Sequence, residues 1–164
     1  MERLWAPWRM QYINNLSEPG CIFCTKPNED KDEENMILCR GRSSFIVLNI
    51  FPYNNGHLLI TPYRHVADLA LLTDEEQLDI MKMTTKGCEL LKAAFHPHGF
   101  NIGVNVGQAG GAGIADHLHV HIVPRWNGDT NFMPVVADTK VLPDALASSY
   151  KALKEALAKM EQGA

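Results

Sequence analysis

The sequence predicts an α+β domain in which two helices accompany an antiparallel sheet. Strand-type apolar runs occur in pairs separated by turn-rich or glycine-rich segments, which is typical of antiparallel hairpins. Two longer segments carry apolar residues at helical spacing, one between the hairpins and one near the C-terminus. The chain has 164 residues, 46% of them hydrophobic, which is enough to bury a core. These observations favour one compact domain.

Composition excludes several classes of function. The formal net charge is -4, which offers no basic surface for a nucleic-acid duplex, although local donors could still bind a small anion. No stretch approaches membrane-spanning length, and charges and Pro7 interrupt the first nine residues, so neither a membrane partner nor a signal peptide is expected. Four cysteines without an export signal indicate thiols or metal ligands. We therefore expect a cytoplasmic protein.

The first hairpin is predicted from residues 45–48 and 57–60. Both runs have the composition of β-strands, and the segment between them, residues 52–56, is rich in turn-forming residues. Upstream, residues 26–34 are polar, acidic and contain a proline, which predicts an exposed loop. This loop separates the Cys21–Cys24 pair from the body of the domain.

The main helix is predicted to follow the first hairpin. Thr73 and Glu76 have the spacing of a capping box, and Pro97 ends the segment. Apolar positions then recur at roughly helical period and are expected to cover one face of the sheet: Leu78, Met81, Cys88, Leu91 and Phe95. A second amphipathic helix is predicted over residues 143–160.

The second hairpin combines an alternating strand over residues 100–106 with a histidine-rich strand over residues 117–123. Residues 107–113 between them include four glycines, and exposed backbone amides in such a loop can bind phosphate oxygens. A flexible turn is the other interpretation of that loop. If the polar faces of the two strands coincide, Asn105 and the glycine loop lie beside His119.

The histidine strand, His117-Leu118-His119-Val120-His121, is the most informative segment. Side chains alternate along a strand, so the three imidazoles share one face while the aliphatic residues enter the core. The three histidines span roughly 13 Å at about 3.3 Å per residue, so they cannot all converge on one ion. Separate roles are therefore expected, with one ring acting as a nucleophile in a fixed tautomer. An edge strand with solvated histidines is the alternative.

The residues 117–125 resemble the signature of the histidine-triad (HIT) superfamily of nucleotidyl hydrolases and transferases. Residues 56–65, with Asn49 before them, resemble a second block of the same family. The resemblance covers roughly residues 21–132, and the flanking residues 4–9 and 124–134 are most similar to the bacterial branch that includes diadenosine tetraphosphate phosphorylases and to fragile-histidine-triad-like hydrolases.

The resemblance implies a HIT-like fold with a mainly five-stranded antiparallel sheet, one main helix and a C-terminal helix. It implies a single HIT domain over residues 1–164, with a core at about 21–132. An N-terminal arm over residues 1–20 and a C-terminal helical extension over 140–164 would flank this core. By analogy with the family, we expect a homodimer.

The resemblance also implies a reaction and roles for particular residues. His119 would attack the α-phosphorus of a dinucleoside polyphosphate, such as diadenosine tetraphosphate, and form a covalent nucleotidyl-histidine. Water or inorganic phosphate would then release the nucleotide. His121 and His57 would donate hydrogen bonds to the phosphates, and the carbonyl of His117 would orient the His119 ring. Spreading negative charge in such a transfer needs positioned donors, which agrees with these roles.

The substrate contacts implied by the resemblance include one departure. Asn49 would face the ribose, and Asn105 the phosphate or bridging oxygen. Hydrolase members usually have a glutamine or serine three or four residues before the triad, where this sequence has Gly113 and Ile114. Backbone amides of the loop, or Gln108, would have to contact the phosphate instead.

A structural zinc site is the second implied feature. Cys21 and Cys24 form a pair with two residues between them, and His65 and His117 occupy the positions that complete a Cys-Cys-His-His set in zinc-bearing members of the family. Such a set suits a closed tetrahedral zinc site. Two buried thiols are the alternative. Cys39 and Cys88 fit core positions. No organic cofactor is expected.

Two other functions remain open from the sequence. A nucleoside phosphoramidate hydrolase would use the same histidines but expel an amine. A nucleotide-binding module would keep the pocket and have little turnover. The complete histidine set argues against the second, and formation of a nucleotidyl adduct would discriminate between them.

Overall fold

The architecture is a five-stranded antiparallel sheet with helices on both faces. A computed structural model describes residues 20–130 and 144–163. The strands are β1 (Ile37–Arg40), β2 (Ser44–Leu48), β3 (Leu58–Pro62), β4 (Gly99–Val104) and β5 (Val120–Arg125). The α-helices are α1 (Ile22–Thr25), α2 (Asp74–Phe95) and α3 (Leu146–Gln162), with short 3-10 helices at Lys26–Asn28 and Leu69–Leu71. This confirms the expected α+β class, with a five-stranded sheet, a main helix and a C-terminal helix.

The sheet has the order β1-β2-β3-β5-β4, and every neighbouring pair is antiparallel. Both predicted hairpins are present, since β2 pairs with β3 and β4 with β5. The two hairpins join through β3 and β5, where Leu59 lies opposite His121. Cross-strand partners place their side chains on the same face of a sheet. This register therefore decides which face carries the histidines.

The two faces of the sheet are covered unequally. On one face, Ile46, Leu58 and Ile122 pack with apolar residues of α2 and α3 in the larger core cluster. On the other face, Phe45 and Leu59 pack with Phe23 of α1 in a smaller cluster. Alternation along the strands explains this division. His121 and Leu59 project from the face that carries the smaller cluster.

The start of the histidine strand differs from the prediction. Regular pairing in β5 begins at Val120, whereas the sequence predicts a strand from residue 117. The Leu118 amide instead donates to the carbonyl of Val66, outside the sheet. All three histidines are nevertheless buried, and the expected aliphatic residues between and after them enter the larger core.

Helix α2 has the predicted N-terminus and part of the predicted buried face. Thr73 and Glu76 form the expected capping box, and the helix ends at His96 in the left-handed conformation. Leu78 and Met81, predicted to face the sheet, are 56% and 64% exposed. Leu91 is buried and Cys88 and Phe95 pack against the larger core, as predicted. The buried residues of the helix are Glu76, Ile80, Met83, Thr84, Gly87, Leu90 and Leu91.

Helix α2 approaches the sheet closely on its buried face. A Cβ added at Gly87 would lie 2.8 Å from Cδ1 of Ile122, so any larger residue at this position would require the end of that side chain to shift. Ile80 and Met83 are three residues apart and lie on one side of the helix, whereas Leu78 projects about 200° away from Ile80. Gly87 lies on the side of the helix that faces the sheet.

An ion pair between Arg64 and Glu76 joins the segment after β3 to the start of α2. The Arg64 guanidinium donates to both Glu76 oxygens at 2.8 and 2.6 Å, and the Thr73 amide donates to the same carboxylate at 2.9 Å. These donors lower the pKa of Glu76 to about 2. A carboxyl group whose pKa is lower in the folded state stabilises the fold above its unfolded-state pKa and loses that contribution as pH falls.

Glu76→Gln is therefore expected to change the acid limb of the stability curve. The wild-type free energy of unfolding should fall as pH drops from about 4.5 to about 2, because Glu76 takes up a proton on unfolding in this range. The variant should lose stability at pH 7 and show a shallower fall in the acid range. Urea unfolding at a series of pH values measures both. An identical slope in the two proteins would contradict this account of Glu76.

Helix α3 closes the larger core from the C-terminal side. Leu153 and Leu157 are buried among the residues of that core, and the Tyr150 hydroxyl donates to the Ile37 carbonyl at 2.9 Å. The predicted helix is confirmed from Leu146 onward, and its expected start at Pro143 lies outside the described residues. The other residues of 131–143, and residues 1–19 of the predicted N-terminal arm, also lie outside them. Within the described ranges, no helix is both long and apolar enough to cross a bilayer.

Candidate active site

The candidate site is a pocket on the sheet face opposite α2 and α3. Its apolar wall includes Ile22 and Phe23 of α1 together with Leu59 of β3, and His119 and His121 lie on its polar side. The register of β3 against β5 produces this arrangement, because Leu59 lies opposite His121 and His119 is two residues before it. The sheet thus places two imidazoles in a mainly apolar pocket, whose other polar lining residues include Lys26 and Asn49.

His119 has a tautomer that the backbone fixes. Its Nδ1 lies 2.8 Å from the carbonyl oxygen of His117, and a carbonyl oxygen can only accept a hydrogen bond. Nδ1 therefore carries the proton, and Nε2 of the neutral ring holds a free electron pair. The residue is buried, and burial lowers the pKa of His119, opposed by the bond to the His117 carbonyl. The Phe23 ring packs against this imidazole at 5.2 Å between centroids.

His57 and His121 form a second imidazole unit with the opposite polarity. The Tyr53 amide donates to Nδ1 of His57 at 3.0 Å, and a backbone N–H can only donate. Nε2 of His57 must then carry its proton, which it donates to Nδ1 of His121 at 2.9 Å. Nε2 of His121 is consequently protonated. The rings of His119 and His121 are 4.9 Å apart, so an electron pair and a proton are presented side by side.

Two asparagines lie next to this histidine unit. Asn49 lines the pocket and its Nδ2 is 3.2 Å from Nδ1 of His57, while its Oδ1 accepts from the Phe51 amide. Asn105 has its Nδ2 3.5 Å from Nε2 of His121, and the same Nδ2 donates to the Gly111 carbonyl at 3.4 Å. Val104 pairs with Val120, so Asn105 and His119 occupy the next positions along the two chains, where regular pairing has ended.

The glycine loop contributes to the pocket at its last residues. Gly113 and Ile114 line it, so the positions that depart from the family pattern do face the site. Gln108 is exposed on the same loop. The amide of Gly111 donates to the Gln108 carbonyl, which holds this part of the loop in a turn.

Residues that sequence reasoning missed complete the pocket. Tyr53 stacks on His121 with ring centroids 5.7 Å apart and an interplanar angle of 11°, and it also packs against His57. Ile22 and Phe23 form the opposite wall. An aromatic residue four positions before His57, and two apolar residues between the paired cysteines, are the signals that could have indicated them.

A cluster of metal-binding side chains lies at the base of the histidine segment. Ligand atoms of Cys21, Cys24, His65 and His117 all lie within 4.8 Å of one another. Sγ of Cys21 is 3.1 Å from Nδ1 of His117, and Sγ of Cys24 is 3.4 Å from Nδ1 of His65. Two sulfur and two nitrogen donors at this spacing fit a tetrahedral zinc ion.

The tautomer of His117 suits the same interpretation. Its Nε2 lies 2.9 Å from the carbonyl of Pro62, which can only accept, so Nε2 holds the proton and Nδ1 presents an electron pair to the cysteines. Metal-bound histidines commonly donate their second N–H in this way. Burial lowers the pKa of His117, against the bond to Pro62. His117 therefore faces the cluster with its ring and His119 with its carbonyl.

Comparison with known proteins decides the family. The model of the HIT domain family matches residues 31–128, more than half of the chain. The chain belongs to the HIT family. The matched residues of this HIT protein include both hairpins, helix α2 and all three histidines of the triad segment.

Relatives of this HIT protein carry names that indicate enzymes. The AP-4-A phosphorylase of Mycobacterium tuberculosis is 41% identical over 162 residues, covering 93% of this chain and 83% of the relative. The adenosine 5'-monophosphoramidase hnt1 of Schizosaccharomyces pombe is 32% identical over 108 residues, covering 66% of this chain and 76% of the relative. The protein is a HIT-family enzyme.

A solved structure supports the same assignment. A Zn-bound histidine triad family protein from Mycobacterium smegmatis superposes with a TM-score of 0.67 at 26% identity. The match covers 88% of this chain and 98% of that chain. The HIT fold is therefore shared over nearly all of the described residues.

Proposed function

We propose that this HIT enzyme cleaves dinucleoside polyphosphates, such as diadenosine tetraphosphate, by transferring a nucleotidyl group to His119. The observation that carries the proposal is the pair of opposite tautomers, an electron pair on Nε2 of His119 beside a proton on Nε2 of His121. The M. tuberculosis relative named AP-4-A phosphorylase supports the substrate class.

The reaction would proceed in two displacements at the α-phosphorus. In the first, Nε2 of His119 forms a bond to phosphorus, and the bond from phosphorus to the bridging oxygen breaks with its electrons on the departing phosphate chain. Nε2–H of His121 donates a hydrogen bond to that oxygen as its negative charge develops. The positive charge that appears on the His119 ring is stabilised by the His117 carbonyl at Nδ1.

The second displacement would release the nucleotide. An oxygen of inorganic phosphate or water attacks phosphorus, and the bond to Nε2 of His119 breaks with its electrons returning to the ring. Phosphate as acceptor yields a nucleoside diphosphate, and water yields a monophosphate. The name of the M. tuberculosis relative favours phosphate.

Substrate contacts follow from the lining of the pocket. Asn49 would bind the ribose, and Asn105 beside His121 would contact the phosphate or bridging oxygen. Backbone groups near Gly113, with Gln108 on the outer part of the loop, would contact the remaining phosphates. The apolar wall would hold the nucleobase away from water.

A second candidate is hydrolysis of nucleoside phosphoramidates. The S. pombe relative named adenosine 5'-monophosphoramidase supports it, and an amine leaving group would also require a donor in the place of His121. A nucleotide-binding module with little turnover is the third. The first two predict a covalent adduct on His119, and the third does not.

We also propose that Cys21, Cys24, His65 and His117 hold a structural zinc ion. The donor set and its spacing fit the metal, and Nε2 of His117 already has its partner in Pro62. A bound zinc ion would cross-link α1, which forms one pocket wall, to the segment that carries His119.

We further propose a cytoplasmic homodimer. The edge strand β4 leaves Ile102 52% exposed, and an unpaired sheet edge with apolar side chains is suited to pairing with another chain. The four cysteines lie in described residues, and all of them are free thiols, which agrees with a reducing compartment. Sedimentation of the purified protein tests the dimer.

Incubation with diadenosine tetraphosphate, with and without inorganic phosphate, tests the function. ADP plus ATP formed only with phosphate would support a phosphorylase, and AMP plus ATP without it would support a hydrolase. AMP released from adenosine 5'-phosphoramidate alone would favour the second candidate. No product from either substrate would overturn the enzymatic proposal and favour the binding module.

A further inference from the structure

The loop between β2 and β3 determines the tautomer of His57, and a separate set of side chains holds that loop. Tyr53 in this loop donates its amide to Nδ1 of His57, and the His57 amide donates to the Asn54 carbonyl at 3.2 Å. The bond from Tyr53, together with Nδ2 of Asn49 at 3.2 Å from the same Nδ1, leaves the His57 proton on Nε2, facing His121. Asn49 is in turn oriented by the loop, because its Oδ1 accepts from the Phe51 amide. Displacement of the loop would therefore disturb the proton on Nε2 of His121, although the rings of His57 and His121 separate that proton from the Tyr53 amide.

Asn54 anchors the loop to the strand that carries His121. Its Nδ2 donates to the carbonyl of Pro124 and to Oδ2 of Asp129, both at 3.0 Å. Both partners can only accept, so the orientation of this amide is fixed. Asn54 is 6% exposed, and Pro124 is three residues after His121 on β5.

Asp129 is itself held from β5. Arg125 donates to its two oxygens at 2.6 and 2.9 Å, and the Trp126 amide donates to Oδ2 at 3.3 Å. The Arg125 guanidinium beside it holds the pKa of the Asp129 carboxyl well below its usual range, so the acceptor for Asn54 stays ionised at working pH. The anchor is thus a closed set of bonds between the loop and the end of β5.

We propose that Asn54 and Asp129 are positioning residues for the hydrogen-bond donor of the reaction. They hold the Tyr53 amide against His57, which directs the His57 proton to His121 and leaves Nε2–H of His121 facing the leaving group. Neither residue is among those that line the pocket. This inference rests on the proposed function and adds to it two residues that act through the loop.

The distinguishing test is the dependence of the first displacement on the leaving group. A donor to the departing oxygen matters most when that oxygen is strongly basic and least when the leaving group departs readily as an anion. Adenosine 5'-phosphate aryl esters, from p-nitrophenyl to p-methoxyphenyl, vary that basicity. Phenol release in a single turnover with excess enzyme reports adduct formation directly.

Asn54→Ala is expected to steepen the plot of log rate against leaving-group pKa. The rate with the p-nitrophenyl ester should fall by less than about 3-fold, and the rate with the p-methoxyphenyl ester by about 10- to 100-fold. The reason is that Nε2–H of His121, once displaced, stabilises the departing oxygen less than it does when correctly positioned. Asp129→Asn should act in the same direction, and it keeps the test available if Asn54→Ala does not fold.

Asn101→Ala is the matched control. Asn101 accepts from Nη1 of Arg125 at 2.8 Å, so the variant removes one bond from the same arginine without touching the loop. Its slope should equal that of the wild type. Nitrogen-15 NMR of the ring nitrogens gives a readout independent of turnover. In the wild type, His57 should be protonated at Nε2 alone. In Asn54→Ala, the neutral ring should exchange between the tautomer protonated at Nε2 and the tautomer protonated at Nδ1.

The outcomes separate this inference from the proposed function. A lower rate with an unchanged slope, together with an unchanged His57 tautomer, would show that Asn54 only stabilises the fold and would overturn the positioning role. Absence of phenol release from every ester by the wild-type protein would overturn the proposed function, and this inference with it. A steeper slope in both variants supports the role.

Discussion

Replacing His119 with alanine is expected to lower kcat for diadenosine tetraphosphate by at least about 10³-fold and to leave the fold intact. The side chain lies at the pocket, where its loss removes the nucleophile, while Leu118 and Val120 on either side keep their places in the larger core. Nucleotide release measured over hours, together with far-UV circular dichroism, tests the two parts. The wild type, quenched in acid-free medium during turnover, should carry a nucleotidyl group that mass spectrometry locates on His119.

His96→Ala is the matched control for this variant. His96 ends α2 on the exposed side of the domain and lies outside the pocket, so its replacement should leave kcat within about 2-fold of wild type. Substantial turnover by His119→Ala would contradict the nucleophile, whichever acceptor the wild type uses. Binding of nucleotide with an unchanged Kd would show that the pocket survives the substitution.

Cys21→Ser is expected to remove bound zinc and to destabilise the protein. The purified wild type should contain about one zinc ion per chain, whereas the variant should lose most of it, because a hydroxyl is a much weaker zinc ligand than a thiolate. Loss of a structural metal should cost on the order of 3 kcal/mol and lower Tm by about 10 °C. Metal analysis and thermal unfolding, with and without a chelator, measure both effects.

Cys39→Ser is the control for the metal. Cys39 lies in β1 and packs at the edge of the larger core, remote in the sheet from the triad segment. The variant should retain zinc and respond to chelation as the wild type does. A wild-type protein that contains no metal after purification in zinc-supplemented medium, and whose Tm is the same with chelator, would contradict the zinc site.

The sequence predicted the elements that have a clear period or composition. The two hairpins and both long helices follow from alternation, turn residues and the capping box at Thr73, because each of these signals is local. Strand β1 has only four residues and no alternating pattern, so the fifth strand came from the family resemblance and not from the residues. Helix α1, one turn long, gave no periodic signal at all.

Rotation of α2 could be predicted only in part from its own apolar residues. Cys88, Leu91 and Phe95 pack in or against the larger core as predicted, but the helix turns Gly87 toward Ile122 and leaves Leu78 and Met81 exposed. The approach of two backbones depends on the partner strand, which lies more than thirty residues away in sequence. Long-range contacts of this kind leave no mark in a local window.

The candidate site shows the same division. The histidines and asparagines could be named from the resemblance, and the structure adds the bonds that set their tautomers. Tyr53 acts through its backbone amide and Asn54 through contacts with residues 124 and 129, so neither role depends on a spacing that a sequence displays. Roles that rest on the main chain or on distant partners require coordinates.

His117 has two separate contacts, one made by its side chain and one by its backbone. The ring faces the cysteines, but the contact to His119 comes from the carbonyl, which every amino acid at that position would supply. A lineage could therefore exchange this imidazole, and lose the proposed zinc site, without giving up the orientation of the His119 ring. Descendants lacking the cysteines would then remain competent enzymes, provided that other packing replaced the cross-link to α1.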